Sequence, residues 1–168
     1  MDNIYLIGMM GSGKSTIGDK LANHLNMDYV DIDSDIESIH QMSIVEIFNQ
    51  LGEKKFRELE SVYFLEKSMQ SNQVFSTGGG IVLSRNNHDT LKNHGTTFFL
   101  EANCEILLDR IKDVSSRPLL NNKNPIKTIS SIWEKRKKFY YDLSDYTINT
   151  NTLSINCVVS EISQKINK

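Results

Sequence analysis

Residues 8–15, with the sequence GMMGSGKS, constrain the fold of this chain more than any other segment. They follow an apolar run at residues 4–7 and precede apolar side chains at helical spacing, namely Ile17, Leu21 and Leu25. A strand, a glycine-rich loop ending in Lys-Ser and then a helix form the context of a phosphate-binding loop. Glycines let backbone N–H groups point at an anion, and the helix adds the positive end of its dipole. The segment therefore predicts a site for the phosphates of a nucleotide.

Two side chains of this loop carry the chemistry that the pattern predicts. Lys14 is expected to reach the β- and γ-phosphates, and the Ser15 hydroxyl is expected to bind Mg²⁺. The alternative is an ordinary glycine turn with an exposed lysine. That alternative does not account for Ser12 and Ser15 on either side of Gly13 and Lys14 at the start of a helix.

The bulk properties of the chain exclude several classes of protein. Its 168 residues and 39% hydrophobic content predict one soluble globular domain. A net charge of -2 implies no broad basic surface for nucleic acid, and no apolar run approaches the length of a membrane span. The N-terminal residues show no signal-peptide pattern, and Cys104 and Cys157 lack metal-ligand spacing. We therefore expect a cytoplasmic protein with reduced, partly buried thiols.

Strand-like and helix-like segments alternate along the chain, which predicts an α/β domain with a parallel sheet covered on both faces. Ligands of such sheets gather at the carboxyl ends of the strands, so Gly8, Asp31 and Gly78 are expected to meet at one edge. The expected strands lie at residues 4–7, 28–31, 74–77, 96–100 and 146–148. The expected helices follow residue 14 and lie at 43–52, 53–69, 104–111 and 126–143, with a last helix through Val158, Ile162 and Ile166.

Asp31, Ile32 and Asp33 end the second expected strand. Because successive strand side chains point to opposite faces, the two carboxylates are predicted to face the same volume beside the phosphate loop. One could support Mg²⁺, and the other could orient an acceptor hydroxyl or act as a base. The alternative is that one or both of them only cap the next helix, since Asp33 followed by Ser34 is typical of a helix N-terminus.

Three further features are candidate contacts to a ligand. The glycine triplet at residues 78–80 follows an expected strand, where it allows close approach of a ligand or forms only a flexible turn. Arg57 and Arg136 lie in expected helices, where a single arginine more often belongs to a solvated face. Arg117 lies in the polar segment 112–125, which contains both prolines and predicts a loop that closes over a nucleotide.

In this order along the chain, the motifs resemble those of the shikimate kinase family over nearly the whole length. The resemblance implies ATP-dependent phosphorylation of the 3-hydroxyl of shikimate, which gives shikimate 3-phosphate and ADP on the route to chorismate and aromatic amino acids. It also implies a single three-layer α/β/α domain of the nucleoside-monophosphate-kinase type, with a five-stranded parallel sheet, a helical substrate-binding part at about 33–60 and a lid at about 112–125. The motifs are the phosphate loop, Asp31-Ile32-Asp33, GEKKFR at 52–57, the glycine triplet, RPLL at 117–120 and Arg136.

The resemblance also implies roles for residues of this chain. Asp33 would bind shikimate hydroxyls and is the candidate base, while Ser15 would bind Mg²⁺ directly and Asp31 would support it through water. Lys14, Asp33 and Arg117 are the implied catalytic residues, and Lys14 and Arg117 would stabilise the transferred phosphoryl group. The implied ATP contacts are Gly11, Ser12, Gly13, Lys14, Ser15, Thr16, Arg110 and Arg117, and the implied shikimate contacts are Asp33, Arg57, Gly79, Gly80 and Arg136.

The adenine side departs from the family pattern. Arg110 would lie against the base, but residues 149–155 read NTNTLSI, where members of the family often have an arginine- and proline-bearing loop. Backbone groups of this segment could contact the adenine base instead.

Two alternative functions stay open at this point. A kinase for another small polyol acid, such as gluconate, has the same donor side, although Arg57 and Arg136 favour a ring acid with one carboxylate. A nucleotide-gated binding module would keep the phosphate loop but would have little need for Asp33 together with both arginines. The expected partners are shikimate and ATP with Mg²⁺, and the chain is expected to be a monomer.

Overall fold

The computed structural model describes residues 2–111, 118–120 and 124–166, and the predicted fold class is confirmed there. The strands are β1 (Asn3–Ile7), β2 (Asp28–Asp31), β3 (Gln73–Ser76), β4 (Gly95–Glu101) and β5 (Tyr146–Asn149). All pairs are parallel, and the order across the sheet is β2-β3-β1-β4-β5. The helices are α1 (Lys14–Leu25), α2 (Ile32–His40), α3 (Ile44–Lys67), α4 (His88–Asn93), α5 (Cys104–Arg110), α6 (Pro125–Leu143) and α7 (Ile155–Ile166).

The central strand β1 separates two hydrophobic layers. Ile4 and Leu6 pack with apolar side chains of α1 and α7 on one face. Tyr5 and Ile7 point to the other face, where they join apolar residues of α2, α3, α5 and α6. Every residue of β1 is buried, as expected for a parallel sheet with helices on both faces.

The long helix α3 begins at the expected residue and is interrupted at Gly52, where one expected helix ends and the next begins. Ser43 caps it, with a reciprocal capping box between Ser43 and Glu46. Gly52 has a φ of 82° and a ψ of 162°, which interrupts the helix. The predicted division into a helix before Gly52 and another after it is therefore confirmed as a kink within one continuous element.

The strand expected at residues 28–31 is confirmed, and so is helix capping by one of the two aspartates, but the alternation argument that paired them is wrong. Strand β2 ends at Asp31 and α2 begins at Ile32, so Asp31 and Asp33 do not occupy alternating strand positions. Asp31, rather than Asp33, is the N-cap of α2, because its Oδ1 accepts a hydrogen bond from the Ser34 N–H at 3.1 Å. A capping aspartate at the last strand residue leaves no room for further strand.

Other differences are local. The 3-10 turns Ile81–Leu83 and Arg85–Asn87 and helix α4 lie between the glycine triplet and β4, where no element was expected; they are too short to leave a periodic pattern. Cys104 is half-buried as expected, but Cys157 is exposed on α7, which contradicts the expectation of burial.

The lid expected at about 112–125 lies mostly outside the described residues. Of this segment, Pro118–Leu120 form a 3-10 turn and Pro125 begins α6. Within the described residues, we found no helix with the length and hydrophobicity needed to cross a bilayer.

Candidate active site

The carboxyl ends of β1, β2 and β3 form the floor of the site. Asp31 pairs in register with Ser76, and Leu6 pairs with Ser76 from the other side. A Cβ on Gly79 would lie 3.3 Å from the carbonyl oxygen of Gly8, so the glycine triplet runs beside the phosphate loop. The predicted meeting of these strand ends is confirmed. A cavity of about 470 Å³ lies above them.

The phosphate loop is shaped by close backbone contacts. Gly11 has a φ of 80°, and a Cβ there would lie 2.4 Å from the carbonyl oxygen of Leu107. Gly13, with a φ of 92°, is the N-cap of α1. Both positions need glycine, because an L side chain would be strained there and, at Gly11, would also collide with backbone. The loop thereby directs the N-terminus of α1 at the cavity, which suits an anion.

Lys14 folds across its own loop. Its side chain is largely buried, with a residue exposure of 8%, and Nζ donates hydrogen bonds to the carbonyl oxygens of Gly8 at 3.0 Å and Met9 at 2.9 Å. Nζ also lies 3.4 Å from the Ser12 hydroxyl oxygen. An ammonium group held in this way lies at the cavity wall, where an arriving phosphate can replace one of these acceptors.

Oxygen atoms from three elements gather at the start of α1. The Ser15 and Ser76 hydroxyl oxygens are 3.3 Å apart. The Tyr29 hydroxyl lies 2.9 Å from Asp31 Oδ2 and 3.1 Å from the Ser15 carbonyl oxygen. These donors fit Mg²⁺, which prefers oxygen and keeps several waters. No cluster of three metal-ligating side chains exists among the described residues, so the ion would depend on nucleotide phosphates and water for most of its ligands.

A second, smaller cavity of about 60 Å³ adjoins the first. Met10, Asp33 and Gly79 line both cavities and so form a shared wall. Asp33 therefore lies where a ligand of one cavity would meet a ligand of the other, although the strand argument that placed it there is wrong. The remaining lining of the smaller cavity combines apolar and cationic groups, namely Ile44, Phe48, Phe56, Arg57, Gly78, Gly80, Pro118, Leu119 and Arg136.

Arg57 is fixed against the glycine triplet. A Cβ on Gly80 would lie 2.2 Å from Arg57 Cζ, so the guanidinium passes directly over that glycine. Its Nη1 lies 2.7 Å from Glu60 Oε2 and its Nη2 lies 3.4 Å from Glu53 Oε1. Although burial opposes its charge, Glu60, Glu53 and Asp33 together raise the pKa of Arg57. Arg57 is therefore a held cation and not a solvated helix residue.

Glu60 is a buried partner of Arg57 that the sequence analysis did not identify. It is only 1% exposed, and a Cβ on Gly78 would lie 2.0 Å from its Oε1 and 3.0 Å from Asp33 Oδ1. Burial raises the pKa of the Glu60 carboxyl to about 7; Arg57 opposes the rise and Asp33 adds to it. The only available signal was the spacing of Arg57 and Glu60, which is also the spacing of ordinary surface ion pairs on helices.

Arg136 joins the same triplet from α6. It is 4% exposed, and its Nη1 donates a hydrogen bond to the Gly79 carbonyl oxygen at 2.9 Å. The Tyr140 hydroxyl, one helical turn further on, donates to the same oxygen. The solvated-face alternative is therefore wrong for Arg136 as well as for Arg57, and both cations line one small cavity.

Residues of α5, of α7 and of the segment after β5 line another part of the larger cavity. Arg110 lies there and is fixed by Thr150, since its Nη1 donates to Thr150 Oγ1 at 3.1 Å and its Nη2 donates to the Thr150 carbonyl oxygen at 2.6 Å. The segment that departs from the family pattern contributes Thr150 and the apolar side chains of Leu153 and Ile155 to the cavity wall. Of the other predicted ATP contacts, Gly11, Ser12, Gly13, Lys14, Ser15 and Thr16 line this cavity, and Arg117 lies outside the described residues.

Comparisons with known sequences give one consistent result. The model of the shikimate kinase family matches residues 10–167. A shikimate kinase from Sulfurihydrogenibium sp. is 44% identical over 168 residues, which cover 100% of this chain and 99% of that protein. A shikimate kinase from Caldicellulosiruptor saccharolyticus is 45% identical over 154 residues, which cover 92% of this chain and 89% of that protein.

Solved structures give the same picture. Shikimate kinase from Acinetobacter baumannii in complex with shikimate superposes with a TM-score of 0.96 at 34% identity, and the match covers 99% of this chain and 93% of that one. Deoxyadenosine kinase from M. mycoides with bound dATP superposes with a TM-score of 0.66 at 17% identity over the full length of both chains. The second likeness shows a shared fold alone.

Proposed function

This chain belongs to the shikimate kinase family, and on that premise we propose that it transfers the γ-phosphoryl group of ATP to the 3-hydroxyl of shikimate. The products are shikimate 3-phosphate and ADP. The observation that carries the proposal is the wall of Met10, Asp33 and Gly79 shared by the two cavities. A phosphoryl group passing between ligands in these cavities would move past these three residues.

The donor side needs little covalent chemistry from the protein. In phosphoryl transfer, positioning and charge stabilisation supply most of the catalysis. The loop amides and Lys14 hold the phosphates and balance the charge on the moving group. Bound Mg²⁺ would neutralise phosphate charge, with Ser15 as its direct ligand and Asp31 supporting it through water. Arg117 is proposed to add a further positive charge, and Arg110 to lie against adenine.

The acceptor side recognises a small carboxylic acid. Arg57 and Arg136 are proposed to bind the shikimate carboxylate, because guanidinium groups match a carboxylate in charge and geometry. Their present partners, Glu60 and the Gly79 carbonyl group, hold both cations in place before the ligand arrives. The backbone of Gly79 and Gly80 completes the pocket.

Asp33 is proposed to orient the acceptor hydroxyl. It lies at the boundary between the cavities, and a carboxylate there can accept the hydroxyl proton or only fix its direction. A loose transition state asks little of a base, so orientation is its main contribution.

A coupled assay of ADP release tests the function. Purified protein with ATP and Mg²⁺ is given shikimate, gluconate or no acceptor, and the phosphorylated product is identified by ³¹P NMR. We expect ADP release with shikimate but not with gluconate or without an acceptor. The product should be a new phosphomonoester at the 3-position of shikimate. Release that ignores shikimate would overturn the proposal, and release with gluconate would select the polyol-acid alternative.

The Asp33→Asn variant tests the acceptor side separately. We expect its turnover to fall strongly while it still binds ADP, because only the group between the two cavities is altered. Turnover equal to that of the unaltered protein would remove Asp33 from the mechanism.

A further inference from the structure

Tyr29 connects two parts of the oxygen cluster beside the phosphate loop. Its side chain projects from β2, and its hydroxyl lies 2.9 Å from Asp31 Oδ2 and 3.1 Å from the Ser15 carbonyl oxygen. Ser15 lies in the first turn of α1 and Asp31 ends β2. The hydroxyl thus donates its one proton to the carboxylate of the residue proposed to act through water, and its oxygen lies beside the turn that carries the proposed direct ligand of Mg²⁺.

The ring of Tyr29 is positioned by a glycine. A Cβ on Gly18 would lie 2.8 Å from Tyr29 Cε2, so only the absence of a side chain at residue 18 lets the ring lie this close to α1. The ring and the hydroxyl can therefore be considered separately. The ring fills space beside α1, and the hydroxyl reaches past it to the polar cluster.

The second carboxylate oxygen of Asp31 is held as well. Oδ1 accepts from the Ser34 N–H at 3.1 Å, while Oδ2 accepts from Tyr29. With one hydrogen bond on each oxygen, the plane of the carboxylate is fixed. A fixed carboxylate can order a metal-bound water better than one that rotates, which is why groups around metal ligands affect metal affinity.

We propose that Tyr29 is a positioning residue for magnesium, and that its hydroxyl orients Asp31 and couples it to the Ser15 turn of α1. The inference rests on the magnesium assignment in the proposed function. It assigns no contact between Tyr29 and the substrates. It predicts that loss of the hydroxyl weakens the metal contribution to nucleotide binding and leaves the acceptor side unchanged.

The test compares two tyrosine hydroxyl groups in the same molecule. Tyr29→Phe removes the bond to Asp31 and keeps the ring against Gly18. Tyr63→Phe is the matched control, because Tyr63 donates a similar bond to Asp35 Oδ2 at 2.7 Å between α3 and α2, and neither partner belongs to the oxygen cluster around Ser15 and Asp31. ADP affinity is measured by calorimetry with Mg²⁺ and with EDTA, and the ratio of the two dissociation constants gives the metal-linked gain.

We expect Tyr29→Phe to reduce the metal-linked gain roughly tenfold, the lower end of what such outer groups contribute. ADP affinity in EDTA, shikimate affinity and the melting temperature should stay close to those of the unaltered protein. Tyr63→Phe should keep the full gain. An undiminished gain in Tyr29→Phe overturns the inference, and so does an equal loss of ADP affinity with and without metal.

A double-mutant cycle that combines Tyr29→Phe with Asp31→Asn supplies a second measurement. A purely structural role of Tyr29 would not change its result. If Tyr29 acts through Asp31, the hydroxyl should contribute little once the carboxylate is gone, so the two changes should be strongly non-additive. Additive losses overturn the inference. A wild-type protein with no metal-linked gain would instead overturn the magnesium assignment, so the two failures are distinguishable.

Discussion

The phosphate loop is shaped by backbone that is contiguous in sequence, whereas the smaller cavity, which is the proposed acceptor pocket, is assembled from side chains of separate segments. In the loop, glycine conformations and carbonyl groups at residues 8–15 hold even the lysine in place. In the pocket, Arg57, Glu60 and Arg136 arrive from α3 and α6 and meet over the glycine triplet. The first half depends on local conformation, and the second depends on buried charges that compensate one another.

This difference determines how each half should respond to change. A contact made by backbone is insensitive to pH and to most substitutions elsewhere. A set of buried charges responds to any change in one member, because the remaining charges lose a partner in a poorly solvated place. The following substitutions separate the two halves.

Lys14→Met should give the largest effect and confine it to the donor half. Without the ammonium group, charge on the transferring phosphoryl is no longer balanced, and we expect turnover to fall roughly a thousandfold. Shikimate affinity, measured by calorimetry without nucleotide, should be unchanged. A weakened shikimate affinity would show that the halves are not separate.

Arg57→Ala should produce the reverse pattern. Loss of a charge-assisted contact, together with an unpaired Glu60 nearby, should weaken shikimate binding by about 2 to 5 kcal/mol. ADP affinity should be retained, because Arg57 lines the smaller cavity and does not line the larger one. Equal losses for both ligands would assign Arg57 to the scaffold.

Glu60→Gln should remove a pH dependence of stability that originates in the acceptor half. The folded-state pKa of Glu60 is raised to about 7, so its protonated form is favoured by folding and stability is lost as pH rises through that value. Between about pH 5 and about pH 8, the free energy of unfolding of the unaltered protein should fall by about 2 kcal/mol relative to the variant. Urea denaturation of both proteins at the two pH values measures this, and parallel pH profiles would contradict it.

Gly80→Ala should give the smallest change in ligand affinity. It also allows a direct comparison with a second glycine substitution outside the cavities. A methyl group there would collide with the Arg57 guanidinium, which has to move, so we expect shikimate affinity to fall roughly tenfold. Gly52→Ala is the control, since nothing lies within 4 Å of its Cβ position but its φ is 82°. That variant should lose about 1 kcal/mol of stability and keep its shikimate affinity. Similar ligand effects in both variants would show a general loss of structure.

The same contrast explains what could be predicted from sequence. The strand, loop and helix around residues 8–15 follow from local rules and are confirmed, and the helix boundary expected at Gly52 is observed as a kink within α3. The alternation argument failed at Asp31 because capping ended the strand there. Glu60 was missed because burial, which makes its pairing with Arg57 consequential, comes from tertiary packing that spacing does not encode.

The kink at Gly52 has a consequence for substrate range. The arm of α3 before it supplies Ile44 and Phe48 to the apolar side of the smaller cavity, and the arm after it carries Arg57. Phe48 and Phe56 lie on opposite arms with their ring centroids 5.0 Å apart, so the angle between the arms sets the width of the apolar side of this cavity. Relatives of this enzyme that accept bulkier acids would therefore be expected to have a wider angle between the two arms of α3 at residue 52. They would be expected to keep the arginines of the smaller cavity.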